Sequence, residues 1–286
     1  MAASEKVAIT PAQRLGKREL GPYAFEERMP ARLVSMLTHE GDANRFSGVI
    51  ERLAGLIEHD QNVETAYLCS KAVDQIWKLP DEGPHFCGYR NIQMLWSVLH
   101  AIGHDGLDSQ ASRPSVLDIQ DMIEKAWDAG FNEHGRAATG GVRGTRKYIG
   151  TSEAEALMLS LRIPCTGRVF DGKGAWDRLL DSIDVYFSSA ARDSIYGKVR
   201  VTGCMPIFLQ RPKHSITVVG FERTRSGKRR LLFFDPAWRP PAHIMRPLDF
   251  KLSGMRASLT HRMYRKNQWV LNKSFQAFET LEILRE

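Results

Sequence analysis

The spacing of hydrophobic residues changes part-way along this chain, and that change limits the folds open to it. Over 44–59, Phe46, Val49, Ile50, Leu53, Leu56 and Ile57 follow the i, i+3, i+4, i+7 spacing of an amphipathic helix. Ile92, Leu95, Trp96 and Leu99 share one face of a helix that begins at Cys87 and can end at Gly103. Ser115 can cap a third helix over 115–129, with Ile119, Met122, Ile123 and Trp127 inward. Ser152-x-x-Glu155 reads as a capping box opening a fourth helix through Leu161, and 176–187 reads as a fifth. Beyond residue 204 the pattern breaks into short apolar runs at 205–209, 216–220, 231–234 and 281–284. Runs of that length joined by turns suit antiparallel strands. Residues 67–69 and 163–170 are further strand candidates. Helices followed by a strand meander predict an α+β domain.

The chain has 286 residues, 43% hydrophobic and 26% charged, enough to bury a substantial core. Residues 1–30 are polar and lack sustained periodicity, so they read as a flexible tail before a domain over 31–286. The Pro- and Gly-containing stretch 70–86 and the Gly- and Arg-rich stretch 130–150 read as loops. No apolar run approaches the roughly 20 residues of a membrane span. The first residues lack the apolar stretch of a secretory signal. These features predict a monomer in the cytoplasm or nucleus, away from membranes.

The four cysteines are scattered without a CxxC pair, which predicts free thiols and no metal or other cofactor. His100 and His104 stand at i, i+4 without an acidic partner and read as a helix-end pair. A net charge of +7 favours acidic partners in general. The basic residues, however, cluster at 223–230, which reads as a hairpin tip around Ser226-Gly227, and at 256–266. No nucleic-acid motif accompanies either cluster, so nucleic acid is not the expected partner.

Cys87 stands where a helical pattern begins. A helix N-terminus carries about half a positive charge, which favours a thiolate there. His214 precedes the 216–220 run and Asp235 follows the 231–234 run, so neighbouring strands would bring the two together. Cysteine, histidine, aspartate is the order of the papain-like cysteine proteases: nucleophile, base and orienting group. Singly, each residue is more often a core thiol or a turn feature. The weight lies in the ordered combination.

The stretch Cys87-Gly-Tyr-Arg-Asn-Ile-Gln-Met-Leu95 resembles the nucleophile helix of the zinc-finger-containing ubiquitin peptidases, relatives of the proteases for the ubiquitin-fold modifier. The resemblance continues through Tyr67-Leu-Cys-Ser70, residues 119–131, Gly144-Thr-Arg-Lys-Tyr-Ile-Gly150, residues 154–161, His214-Ser-Ile-Thr-Val-Val-Gly220 and Leu232-Phe-Phe-Asp-Pro236. It implies a papain-like fold and a deubiquitinase, a thiol isopeptidase with Cys87, His214 and Asp235 as its triad. It also implies polyubiquitin as substrate, with chains linked through lysine sixty-three preferred. The sequence departs from the family before the nucleophile, where Pro84-His-Phe86 replaces the usual Gly-Trp-Gly, and it carries no zinc finger.

An oxyanion donor is expected from the loop before Cys87, with Gln75 first and Gln210 second. Ubiquitin's tail carries two arginines, and Glu153 matches the family's acidic position for pairing with them; Glu133 is the second choice. Helix 44–59 lies outside the protease core in this reading. Its Val49, Ile50 and Leu53 are expected to meet the apolar patch of ubiquitin. Two alternatives stay open, a protease for the ubiquitin-fold modifier and a non-catalytic ubiquitin-binding module. Proteases for that modifier place histidine directly after Asp-Pro, whereas Asp235-Pro236 is followed here by Ala237.

Overall fold

The computed structural model describes residues 21–108, 110–190, 197–245, 261–265 and 276–284. Its helices are α1 (Ala31–Thr38), α2 (Val49–Glu58), α3 (Cys87–Ala101), α4 (Val116–Asp128), α5 (Glu133–Thr139), α6 (Thr151–Ser160) and α7 (Ala175–Ser189), followed by short turns of helix nearer the C-terminus. The strands are β1 (Arg45–Phe46), β2 (Val63–Leu68), β3 (Gln75–Ile76), β4 (Cys165–Asp171), β5 (Val199–Val201), β6 (Ile207–Arg211), β7 (His214–Thr224), β8 (Arg229–Phe234) and β9 (Ala277–Ile283). Helices precede most of the strands, as the change of hydrophobic spacing predicts.

Strand β7 joins the main sheet together. Along one edge it pairs first with β6, over 214–218, and then with β2, over 220–224. Its other edge pairs with β8. The order β4-β9-β6-β7-β2-β5 completes seven strands, with β1 and β3 forming a separate pair. The expected all-antiparallel sheet is mixed instead, because β5 runs parallel to β2. Residues of both parities are buried in β7, so both its faces are covered, and α3 and α7 each pack against it. A strand buried on both faces reads as a continuous apolar run, which explains why 216–220 stands out in the sequence.

The β7–β8 turn falls at Ser226-Gly227, as expected. Three of the five basic residues of that hairpin are ion-paired, Arg223 with Asp184, Arg229 with Asp181 and Arg230 with Glu222, and Arg225 donates to the Gln61 carbonyl. Arg223 and Arg229 therefore fasten the hairpin to α7. Of the second cluster only 261–265 is described. Arg265 there is buried between Asp60 (2.8 Å) and Glu222 (2.6 Å).

Several boundaries differ from expectation. Residues 45–46 leave the first predicted helix to pair with β3. The apolar stripe of α2 is core: Val49, Ile50 and Leu53 are each 0% exposed, and the helix packs on β2 and β5. A docking surface on Val49, Ile50 and Leu53 is thereby excluded in this fold.

The 130–150 stretch contains α5, and its remainder is pinned. Glu124 accepts from the N–H groups of Val142 (2.7 Å) and Arg143 (3.3 Å), and Gln120 from that of Gly144 (2.8 Å). Residues 21–29, expected to belong to a tail, form a strap instead. Met29 is buried and its N–H donates to the Gly144 carbonyl (2.7 Å). Glu26 binds Arg146, whose guanidinium sits 3.6 Å from the centre of the Tyr23 ring. The first twenty residues of the expected tail lie outside the described residues. Among the described residues, no helix is long and apolar enough to cross a membrane.

Candidate active site

Cys87 is the first residue of α3, a helix buried on every side from Cys87 to Leu99. The chain reaches it through a one-turn helix, Pro80–Glu82, and a short loop. That approach is fixed by charge. The Glu82 carboxylate accepts from the Leu79 N–H (3.0 Å) and from Arg90 Nε (3.2 Å), with a further contact from Arg90 Nη2. Arg90 is fully buried and also meets Glu40 and Gln93. A buried arginine needs this many acceptors, because an unpaired charge there would cost several kcal/mol. Gly88 lets the first turn lie against the next loop; a Cβ there would stand 2.6 Å from the Ile149 carbonyl oxygen.

His214 and Asp235 arrive from the sheet. His214 opens β7 after a tight turn at Lys213, and Asp235 follows the last residue of β8. His214 Nε2 lies 3.0 Å from Asp235 Oδ1, which also accepts from the Ala237 N–H (2.8 Å). That leaves Nδ1 for Cys87, which lines the same cleft as the ring. Burial raises the thiol pKa, but hydrogen bonds from His214 and Ser215 and the charges of His214 and Lys78 outweigh it and bring Cys87 down to about 7. Burial lowers the imidazole pKa, but hydrogen bonds to Asp235 and Cys87 lift His214 to about 9. An imidazole more basic than the neighbouring thiol takes its proton, so a thiolate–imidazolium pair is the stable form between those values.

The cleft at the sulfur is lined by Tyr148, Ile149, Gln210, Lys213, His214 and Ser215. Gln75 is not among them. It lies buried in β3, its Oε1 accepting from the Tyr264 hydroxyl (2.9 Å) and its Nε2 without a hydrogen-bond partner among the described residues. Gln210 takes the cleft position instead. Its Oε1 accepts from the Thr151 N–H (2.8 Å), which turns its NH₂ end away from the start of α6. Gly150 makes the room, since a Cβ there would fall 2.0 Å from Gln210 Oε1.

Glu153 is not presented to a ligand. Its Oε2 accepts from the Gly150 N–H (2.8 Å) and its Oε1 from Ser152 Oγ (2.9 Å), so it caps α6. The capping pair at this helix is thus Gly150 and Glu153, two residues before the Ser152–Glu155 pair expected. Glu133 is exposed in the first turn of α5. Asn132 beside it donates to the Ser152 carbonyl (3.5 Å), which sets Glu133 near the start of α6. His104 Nδ1 accepts from the Gly106 N–H (3.1 Å) as a helix cap. No group of ligating side chains able to hold a metal ion occurs among the described residues.

Composition and periodicity do not find Arg90, Asn91 and Ser215 at the site. The signal available was their company, polar residues inside a helix and a strand that otherwise read as core.

A profile of peptidase family C78 matches residues 62–278. The chain belongs to peptidase family C78. Zinc finger-containing ubiquitin peptidase 1 of Mus musculus is 32% identical over 272 residues, covering 87% of this chain and 45% of that protein. The Rattus norvegicus protein of that name is 32% identical over 265 residues, covering 85% of this chain and 44% of that one. The Homo sapiens protein is 29% identical over 270 residues, with 87% and 45% covered. The C78 chain therefore spans a little under half the length of these curated relatives. The solved structure of UfSP from C. elegans aligns over 79% of this chain and 36% of that one, with a TM-score of 0.45 and 16% identity. The layout, a helix headed by Cys87 and packed on a sheet that carries His214 and Asp235, is the papain-like α+β fold.

Proposed function

We propose that this C78 peptidase is a thiol isopeptidase that cleaves after the C-terminal glycine of ubiquitin, with polyubiquitin as substrate. The observation that carries the reading is His214 held between Asp235 and the Cys87 sulfur at the start of α3. In this reading the Cys87 thiolate attacks the scissile carbonyl carbon, and the carbonyl π electrons move onto oxygen. The oxyanion is received by the Cys87 N–H, a first-turn donor without an intrahelical partner, and by Gln210 Nε2. The His214 imidazolium then protonates the leaving lysine amine as the C–N bond breaks. Neutral His214 next deprotonates water to release the thioester. Asp235 keeps the ring oriented and stabilises its charged form.

Two features favour ubiquitin over the ubiquitin-fold modifier. The curated relatives carry ubiquitin in their names. The imidazole comes from β7 rather than from the residue after Asp235-Pro236, which is alanine. Glu133, exposed near the start of α6, is the acidic group offered to an arginine of the ubiquitin tail.

The test is covalent capture. A ubiquitin probe with a C-terminal electrophile should label the parent and not Cys87→Ala, while a probe built on the ubiquitin-fold modifier should label neither. Preferential labelling by the second probe would reassign the substrate. Labelling by neither would leave a binding module. A panel of diubiquitins reads the linkage, with the lysine-sixty-three form expected to be cut fastest.

A further inference from the structure

A row of buried polar side chains runs from the sheet to the Cys87 sulfur. Thr217 Oγ1 donates to Asn91 Oδ1 at 2.8 Å, and Asn91 Nδ2 donates to Ser215 Oγ at 2.8 Å. Ser215 lines the same cleft as Cys87 and is one of the groups that bring the thiol pKa down. Thr217 and Asn91 are 0% exposed and Ser215 is 3% exposed. Two periodicities place them. Ser215 and Thr217 are two apart on β7 and so share a face. Asn91 is one helical turn beyond Cys87 on α3 and so lies on the same side of that helix.

The row has a direction. An amide has an accepting end and a donating end, and a hydroxyl has one proton to give. Asn91 Oδ1 takes the proton of Thr217, so the NH₂ end of Asn91 faces Ser215. The Ser215 oxygen accepts there, and its own proton is left for the sulfur. The opposite amide orientation would draw the Ser215 proton to Asn91 and deprive the sulfur of this donor. A negatively charged sulfur favours the first arrangement, because hydrogen bonds to an ion are stronger than those to a neutral group.

We infer that Thr217, Asn91 and Ser215 are positioning residues, a one-way relay that aims the Ser215 proton at Cys87 and holds the sulfur as a thiolate. The inference rests on Cys87 being the nucleophile. The relay adds something that His214 does not supply. The imidazolium is a donor that titrates, whereas the Ser215 hydroxyl remains a donor at every working pH. The titratable groups facing the sulfur are His214 from β7, Lys78 from the segment before α3, Arg211 from β6, Tyr148 from the loop before α6, and Tyr89 from α3 itself. The variants below leave all five in place.

The experiment is the pH dependence of Cys87 alkylation by iodoacetamide, read by peptide mass in the parent, Ser215→Ala and Thr217→Val proteins. This readout needs no modifier. Ser215→Ala should move the midpoint up by about one pH unit, the worth of one hydrogen bond to a charged group. Thr217→Val does not touch the sulfur and nearly conserves volume. It should still move the midpoint upward, by less, because Asn91 is then free to turn. A parent midpoint near 7 with both variants unchanged would overturn the relay and leave the nucleophile assignment standing. A parent midpoint at the roughly 8.5 of an ordinary thiol would remove the nucleophile assignment and the relay with it.

Discussion

Helices α2 and α3 are both buried, but they bury different things. The inward face of α2 is Val49, Ile50, Leu53, Leu56 and Ile57, an uninterrupted apolar stripe. Helix α3 buries Arg90, Asn91, Gln93 and Ser97 along with its apolar residues. Each of these polar side chains has a partner: Arg90 holds the approach loop, Asn91 joins the row that ends at Ser215, Gln93 donates to the Pro114 carbonyl and Ser97 to that of Met94. An apolar stripe needs only a surface to lie on. A buried polar group needs a partner in one place and one orientation, and it costs stability when the partner is missing. The second helix is therefore the one whose position is specified closely enough to fix the Cys87 thiol at its start, and the first is scaffold.

The largest effect expected is at the start of α3. Cys87→Ala and His214→Ala should each lower turnover of ubiquitin chains by roughly a thousandfold or more, with the thermal transition little changed. Turnover retained by either variant would remove the contrast between the helices. Next in size is Ile50→Asp in α2, which places a charge in the core and should cost roughly 3–5 kcal/mol in denaturant unfolding. The Michaelis constant of the folded fraction should not change. Unaltered stability with a raised Michaelis constant would make α2 a docking helix after all.

The pH profile comes third. Activity should rise as the Cys87 thiol ionises near 7 and fall as the His214 imidazolium loses its proton near 9. Asp235→Asn removes the group that most stabilises the charged ring, so the alkaline limb should move to lower pH. An unmoved limb would assign that limb to another group. The smallest effects separate the two glutamates at the start of α5 and α6. Glu153→Ala should cost about 1 kcal/mol of stability through the lost cap. Glu133→Ala should leave stability unchanged and raise the Michaelis constant for ubiquitin substrates a few-fold. The reverse pattern would show that Glu153 is the one reached by the modifier's tail.

The legible parts of the molecule are those set by local rules. Hydrophobic period and chain punctuation are local, so the helices at 115–129 and 176–187 and the strands around 216–220 and 231–234 all stand close to where spacing predicts them. The placement of Cys87 at a helix start and of His214 and Asp235 at two strand ends was legible because these are local signals as well. The site's supports depend instead on which strand lies beside which. Gln75 belongs to β3 and packs under Tyr264, and Gln210 reaches Thr151 only because β6 lies beside the start of α6. The α2 stripe shows the same limit from another side. Periodicity identifies a face that must be covered but not what covers it, and here the cover is β2 and β5.

The strap over residues 21–29 bears on how this chain can be shortened. Its Tyr23 ring packs edge-on against His85, centroids 4.5 Å apart, two positions before Cys87. Gly21 lies against the ring of Tyr148, on the wall of the cleft. A trimmed protein beginning at Ala31 would look harmless from composition, since what it discards is polar and aperiodic. It would nonetheless strip one side of the approach loop bare and leave Arg146 without Glu26. The practical N-terminal limit of a working enzyme therefore lies ahead of Gly21, and a fusion partner should be joined upstream of that residue.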